Sequence, residues 1–271
     1  MKKILYLFVF LAFLSCEKEA DVPLPSTKPK LVLFSFLSNE NLQQTAYVSI
    51  SSPVIGNYQE PRTITDARVY LLSESGVRVD FEYYWSGGFY VTSPFSSYTL
   101  EPGKSYTVFA VVNNDSVWGT TTIPKTPGNF SEYTISKIPS PDEWAQKRRI
   151  TCKWADIPGQ ENYYRITLDP KLDFPTDGFE EFYNGFFSDR LQDGKTMANS
   201  FEITLYNPEP NAAKYSLNLL SSDLPYYEYH RRRVNYVGED PFSEPAPIYN
   251  NVKGGLGVVG SYLKTSVELR E

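Results

Sequence analysis

From Lys30 to about Pro124 the apolar residues recur at every second position in short runs, the spacing that puts one face of a strand into a core. LVLFSFL (31–37) and TAYVSI (45–50) are two such runs. ITDARVYLLSESGVRVDFEYYWSGGFYVTS (64–93) reads as two hairpins that turn at Ser75-Gly76 and Gly87-Gly88. LEPGKSYTVFAVVNNDSVWGTTTIP (100–124) predicts two more strands, with turns at Pro102-Gly103 and Asn114-Asp115. Six or seven short strands with no long helix are most simply buried as a β-sandwich.

The pattern restarts after the hinge PKTPGN (124–129). In RRITCKWADIPGQENYYRITLDP (148–170), Ile150, Cys152 and Trp154 share one strand face, and a return strand carries Tyr164, Ile166 and Leu168. SFEITLY (200–206) and KYSLNLLS (214–221) are further strands. Asp223 is placed to cap a short helix over 223–237 that carries Leu224, Tyr227 and Tyr229. A second helical segment is suggested by Phe179, Phe182, Tyr183, Phe186 and Phe187, which follow Asp177 and Glu180 at helical spacing, although Gly185 weakens it. The expectation is a mainly β chain of two β-sandwich domains, 30–125 and 126–271, with one or two short helices.

The first residues bear on the compartment. MKKILYLFVFLAFLSC places two lysines before an apolar run from Ile4 to Leu14. As a helix that run reaches about 16 Å, too short for a bilayer core of about 30 Å, so it reads as a signal peptide over 1–15. Ser15 and Cys16 resemble the end of a bacterial lipobox, with Phe13 departing from the preferred aliphatic residue. The resemblance implies cleavage before Cys16 and acylation of its thiol, palmitate included. EKEADVPLPSTKPK then forms an acidic, proline-stiffened tether over 16–29. Its acidic start resembles a surface-export signal, and the expected location is the outer membrane, lipid-anchored and exposed at the cell surface.

Loss of Lys2 and Lys3 with the leader moves the formal charge from -6 to -8, which argues against a nucleic-acid partner. With Cys16 acylated, Cys152 is left as the lone thiol, and the spacing of its neighbours predicts a small buried hydrophobe rather than a nucleophile. His230 is the single histidine, and beside Arg231, Arg232 and Arg233 it is expected to face solvent or an anion. One histidine and one buried cysteine do not supply a catalytic triad or a zinc site. The acidic stretch 169–195 has no calcium-loop register. No catalytic residue, metal or cofactor is expected, and ligand-binding residues are not assigned. Exposed aromatics near Trp85 or Phe186 are the candidate contact surface for a partner.

KGGLGVVGSY (253–262) contains Gly255-x-Gly257-x-x-Gly260, the spacing of a dinucleotide fingerprint. That fingerprint requires a strand, a tight turn and a helix, then an acid about 20 residues on, for which there is no room before Glu271. The glycines are therefore expected to permit close backbone approach beside a final strand.

Three resemblances add to this reading. Ala67, Gly88, Tyr90, Pro102, Gly103 and Tyr106 are placed as in transthyretin-like and carboxypeptidase-regulatory-like sandwiches, which also implies an Ig-like topology. Trp154, the Pro-Gly turn and the tyrosine-rich return strand resemble fibronectin type III domains. GEDPFSEPAPIYNNVKGGLG resembles the C-terminal signature of the Bacteroidota lipoprotein family called domain of unknown function 4249, through Pro241, Phe242, Ser243, Glu244 and Pro245 and then Asn251, Gly254, Gly255 and Gly257. Asp240 and Val252 depart mildly from it. The last resemblance implies a non-catalytic surface lipoprotein that binds a ligand or assists a TonB-dependent outer-membrane transporter. A structural or adhesive scaffold is the alternative, and a polymer-acting hydrolase a weaker one.

Overall fold

The computed structural model describes residues 28–40, 43–52, 62–94, 98–140, 145–170, 183–206, 215–234 and 249–269. Residues Lys30–Ser51 and Pro61–Glu271 form one compact unit. The chain is mainly β, with two sheets and, among the described residues, a single short helix.

Alternation of apolar and polar residues produces the first strands much as expected: β1 (Leu31–Ser38), β2 (Thr45–Ile50), the short β3 (Arg62–Thr63), β4 (Arg68–Ser73), β5 (Arg78–Tyr84), β6 (Phe89–Thr92), β7 (Ser105–Val112) and β8 (Asp115–Thr122). The β4–β5 turn has Gly76 at φ +84°, and the β5–β6 turn has Gly88 at φ +71°. The β7–β8 turn sits one residue earlier than its sequence suggests, with Asn113 at φ +53° and Asp115 already in β8. Asparagine tolerates that left-handed conformation better than most residues, so the turn settles on Asn113-Asn114.

The second half contains β9 (Phe130–Ile138), β10 (Ala145–Ala155), β11 (Tyr163–Pro170), β12 (Tyr183–Ser188), β13 (Thr196–Tyr206), β14 (Tyr215–Ser222), helix α1 (Leu224–Val234) and β15 (Leu256–Leu269). β12 corrects part of the second helical expectation: Tyr183, Phe186 and Phe187 are in an edge strand paired with β11. Gly185 lies opposite Ile166 there, where the Tyr183 ring occupies the space a Cβ would need. The earlier residues of that segment, 177–182, fall outside the described residues.

One hydrogen-bonded path runs β12-β11-β14-β15-β1-β2-β6-β5-β4-β7-β8, with β3 beside β2, and a second sheet runs β13-β10-β9. Two cores result. The first gathers Leu33, Leu37, Val48, Val69, Tyr106 and Val108 with Val259 and Leu263 of β15. The second gathers Ile150, Cys152 and Trp154 with Ile166, Leu217 and Leu269. β15 thus supplies side chains to both, and it pairs in parallel with β1 from Val32↔Leu256 to Ser38↔Tyr262.

Tyrosine hydroxyls anchor the loops of the first core. Tyr90 Oη accepts from Ala67 N at 2.8 Å and donates to the Ile64 carbonyl at 3.0 Å. Tyr106 Oη accepts from Glu101 N at 2.8 Å, just before the Pro102-Gly103 turn. In the second core Cys152 is fully buried, and burial pushes its thiol up to about 11. At pH 8 the Cys152 peptide should therefore be alkylated by iodoacetamide roughly 100-fold or more slowly in the native protein than in urea, read by mass spectrometry. Equal rates in the two states would remove Cys152 from the core.

Candidate functional site

The glycine-rich segment lies against β1 and β8. Gly257 (φ +126°) lies against the backbone of Leu33, with no space for a side chain. At Gly254 and Gly255 the Cβ positions are taken by the carbonyl oxygens of Ser116 and Leu31. A Cβ at Gly260 would fall 2.7 Å from Tyr226 N, so this glycine lets the helix sit directly on β15. Gly257 and Gly260 both lie within a strand, so the strand-turn-helix that a dinucleotide fingerprint requires is not formed by these residues. Asn251 completes the seam. Its Nδ2 donates to the Val259 carbonyl at 2.8 Å and the Thr120 carbonyl at 3.2 Å, and its Oδ1 accepts from Val259 N at 2.9 Å. A backbone bridge between Trp118 and Lys253 brings β8 to the same segment.

Helix α1 starts where the sequence places it. Asp223 Oδ1 accepts from Tyr226 N at 2.9 Å, Pro225 sits in the first turn where its missing N–H is harmless, and Arg231, Arg232 and Arg233 occupy the negative end of the dipole. The same carboxylate accepts from Ser261 N at 3.0 Å and from the Thr121 hydroxyl, so one buried group joins α1, β15 and β8. Burial raises the Asp223 carboxyl to about 6, against the opposing effect of these hydrogen bonds.

The helix lays Tyr226, Tyr229 and His230 over Phe34, Phe36 and Tyr262 on the outer face of β1 and β15. His230 is thereby corrected: its ring packs among aromatic side chains instead of standing free in solvent. Its ring lies 4.8 Å from Phe36 and 4.3 Å from Tyr226, and its Nε2 is buried without a partner among the described residues. Burial first, then the charges of Arg165 and Arg233, drive it down to about 3, so it is neutral at ordinary pH.

A cleft of about 470 Å³ opens on the far side of α1. Glu161 enters it from the turn before β11 and Tyr163 from the first residue of that strand, Ser188, Asp189 and Arg190 come from the end of β12 and the turn after it, and Leu224, Tyr227, Glu228 and Arg231 from the helix. Its ionised groups, Arg190 excepted, are held by neighbouring side chains. Glu228 takes Arg231 at 3.0 Å and Arg232 at 2.9 Å; burial acts to raise its carboxyl, but the two guanidinium groups win and keep it below the usual range. Tyr163 donates to Glu161 at 2.7 Å, and burial together with that bond raises its phenol. Asp189 accepts from Asn162 N at 2.9 Å and Nδ2 at 2.8 Å. Arg190 is exposed and has no hydrogen bond or ion pair among the described residues.

Below the cleft the carboxylates of Asp156, Asp189 and Asp193 come within 4.8 Å of one another. Asp189 and Asp193 belong to the acidic stretch noted in the sequence, while Asp156 comes from the preceding turn. Each staples a loop: Asp156 accepts from Tyr164 Oη at 2.8 Å and Gly194 N at 2.7 Å, and Asp193 from Gly159 N at 2.9 Å.

Of the aromatic contact candidates, Trp85 is 77% exposed at the β5–β6 turn, beside Tyr84 and Tyr47 at 50% each. Phe186 is half-buried against Tyr227 and the Arg165 guanidinium. Cys16 and residues 17–27 of its tether lie outside the described residues, and no helix among the described residues is long and apolar enough to cross a membrane. The cleft itself escaped sequence reading because its walls come from three separate segments; the partial signal was ENYYRI, where Tyr163 alternates with the core residue Tyr164.

The fold is thus a mainly β, two-sheet protein whose seam is a glycine-rich final strand and whose helix borders a ligand-sized cleft. The chain belongs to the family described as a domain of unknown function, DUF4249, which matches residues 17–268. No curated protein matches it.

Proposed function

We propose that the protein is a non-catalytic lipoprotein of the Bacteroidota outer membrane, palmitoylated at Cys16, that binds a ligand at the cell surface and serves as an accessory to a TonB-dependent transporter. The observation that carries the binding reading is the cleft beside α1. Its carboxylates are engaged by arginines, an amide and a phenol, which suits holding a ligand rather than transferring a proton. The two groups most able to react point the same way: His230 is held neutral among aromatic rings, and Cys152 is a buried, protonated thiol. The anchor reading is supported by the apolar run and Ser15-Cys16, and tethering raises the effective concentration of the protein for a membrane neighbour, so a small patch such as Trp85, Tyr84 and Tyr47 suffices.

Cys16→Ala should abolish incorporation of labelled palmitate and release the protein from the membrane fraction. Cross-linking on intact cells followed by mass spectrometry should recover a TonB-dependent transporter, and Trp85→Ala should reduce that recovery several-fold. Undiminished labelling of the Cys16 variant would overturn the anchor. Resistance to external protease together with no captured transporter would overturn the accessory role.

A further inference from the structure

We infer that the cleft beside α1 binds a neutral saccharide of one or two rings. This deepens the ligand-binding reading above and rests on it. The cleft's volume of about 470 Å³ lies in the range of small-molecule sites. Its walls carry both signs of charge at close quarters, Glu161, Asp189 and Glu228 against Arg190 and Arg231. A strongly charged ligand of either sign meets repulsion from one set, and an apolar ligand would strip water from ionised groups without replacing their hydrogen bonds. A polyol does neither. Carboxylate oxygens accept from sugar hydroxyls, guanidinium N–H groups donate to them, and both are planar groups suited to paired hydroxyls.

The apolar part of the cleft fits the same class. Tyr163 and Tyr227 stand with ring centroids 5.0 Å apart at 37°, and Leu224, 40% exposed, forms a lip at the start of the helix. The C–H faces of a pyranose carry slight positive charge and lie well on aromatic rings, whose faces are negative. The polar groups are also preorganised for this task. The bond from Tyr163 to Glu161 uses Oε2 and leaves Oε1 for a ligand, while Arg190 is uncommitted among the described residues and retains its full set of donors. Glu228 is held ionised between Arg231 and Arg232, which keeps the back wall rigid.

The test titrates the full-length protein, in a detergent without a sugar headgroup, with glucose, galactose, mannose, N-acetylglucosamine and their β1,4-linked disaccharides. Binding is read by calorimetry and by saturation-transfer NMR. At least one saccharide should bind saturably, and Glu161→Gln and Arg190→Ala should each weaken it 10-fold or more. Both side chains are exposed, so the melting temperature should not move, and a variant that does unfold is replaced by Tyr163→Phe, which removes only the bond to Glu161 and should also weaken binding. No saturable binding by any saccharide at millimolar concentration, or binding undiminished in the Glu161 and Arg190 variants, overturns the assignment. Free amino acids and dipeptides are run in parallel; binding by these with the saccharides silent also overturns it, in favour of a zwitterionic ligand. Recovery of a transporter by cross-linking in the absence of saccharide binding removes the saccharide alone and leaves the accessory role standing.

Discussion

Gly257→Ala is expected to cost more than 4 kcal/mol, enough to leave much of the protein unfolded. The residue has φ +126°, a conformation that L side chains rarely adopt, and its Cβ would overlap the Leu33 backbone, which cannot move without breaking the parallel β1–β15 pairing. Relief at this point requires separating the strand that serves both cores. Gly76→Ala is the matched control: φ is +84° but nothing lies within 4 Å of its Cβ, so only conformational strain is added, about 1–2 kcal/mol. Urea denaturation followed by tryptophan fluorescence measures both. If the two substitutions cost the same, the seam is not the structural centre of the fold, and the glycine-rich segment would have to be explained by binding.

On acidification from pH 7 to pH 4, His230→Phe should lose about 3 kcal/mol less stability than the wild type, and Asp223→Asn should lose more than the wild type by a comparable amount. His230 is driven down to about 3 in the folded protein, from an unfolded value near 6.5. Its contribution is therefore complete above 6.5 and is lost as pH falls toward 3, at about 1.4 kcal/mol per pH unit. Asp223 is raised to about 6 from an unfolded value near 3.8. Its contribution is complete below 3.8 and is lost as pH rises through 6, so acid strengthens it. Asp223 caps the start of α1 and His230 lies two turns further along it, and their titrations largely offset each other in the wild type. Asparagine keeps the capping oxygen, so Asp223→Asn removes the titration while preserving the helix start. Parallel pH profiles for wild type and both variants would contradict the burial of the two groups.

Much of the fold was legible because strand periodicity is local. TAYVSI is β2 to the residue, both glycine turns fall where expected, and the burial of Cys152 and Trp154 follows from their alternation on β10. The Asp223 cap was equally visible, since the competing residues of a helix start lie within one turn. β9 was not read, because FSEYTISKI is largely polar and is a strand only through its pairing with β10. The aromatic spacing around Phe186 suited a helix, but pairing with β11 outweighed it in the described segment, as tertiary context commonly outweighs intrinsic preference. His230 was misread for a similar reason. Its arginine neighbours in sequence point elsewhere, and the rings that bury it come from β1 and β15.

The amino-acid sequence by itself determined the mainly β character, most strand positions, the capped helix and the family to which the chain belongs. These depend on periods of two residues, on turn chemistry and on signatures within a short span. Only the tertiary structure decided that the last strand lies parallel to the first, that one buried carboxylate joins α1 to two strands, and that Glu161, Arg190 and Tyr227 share a cleft. Those facts join residues tens to more than two hundred positions apart, and no local rule carries them. They follow from burying two apolar cores with one shared strand, which is possible only where glycines let the backbones touch.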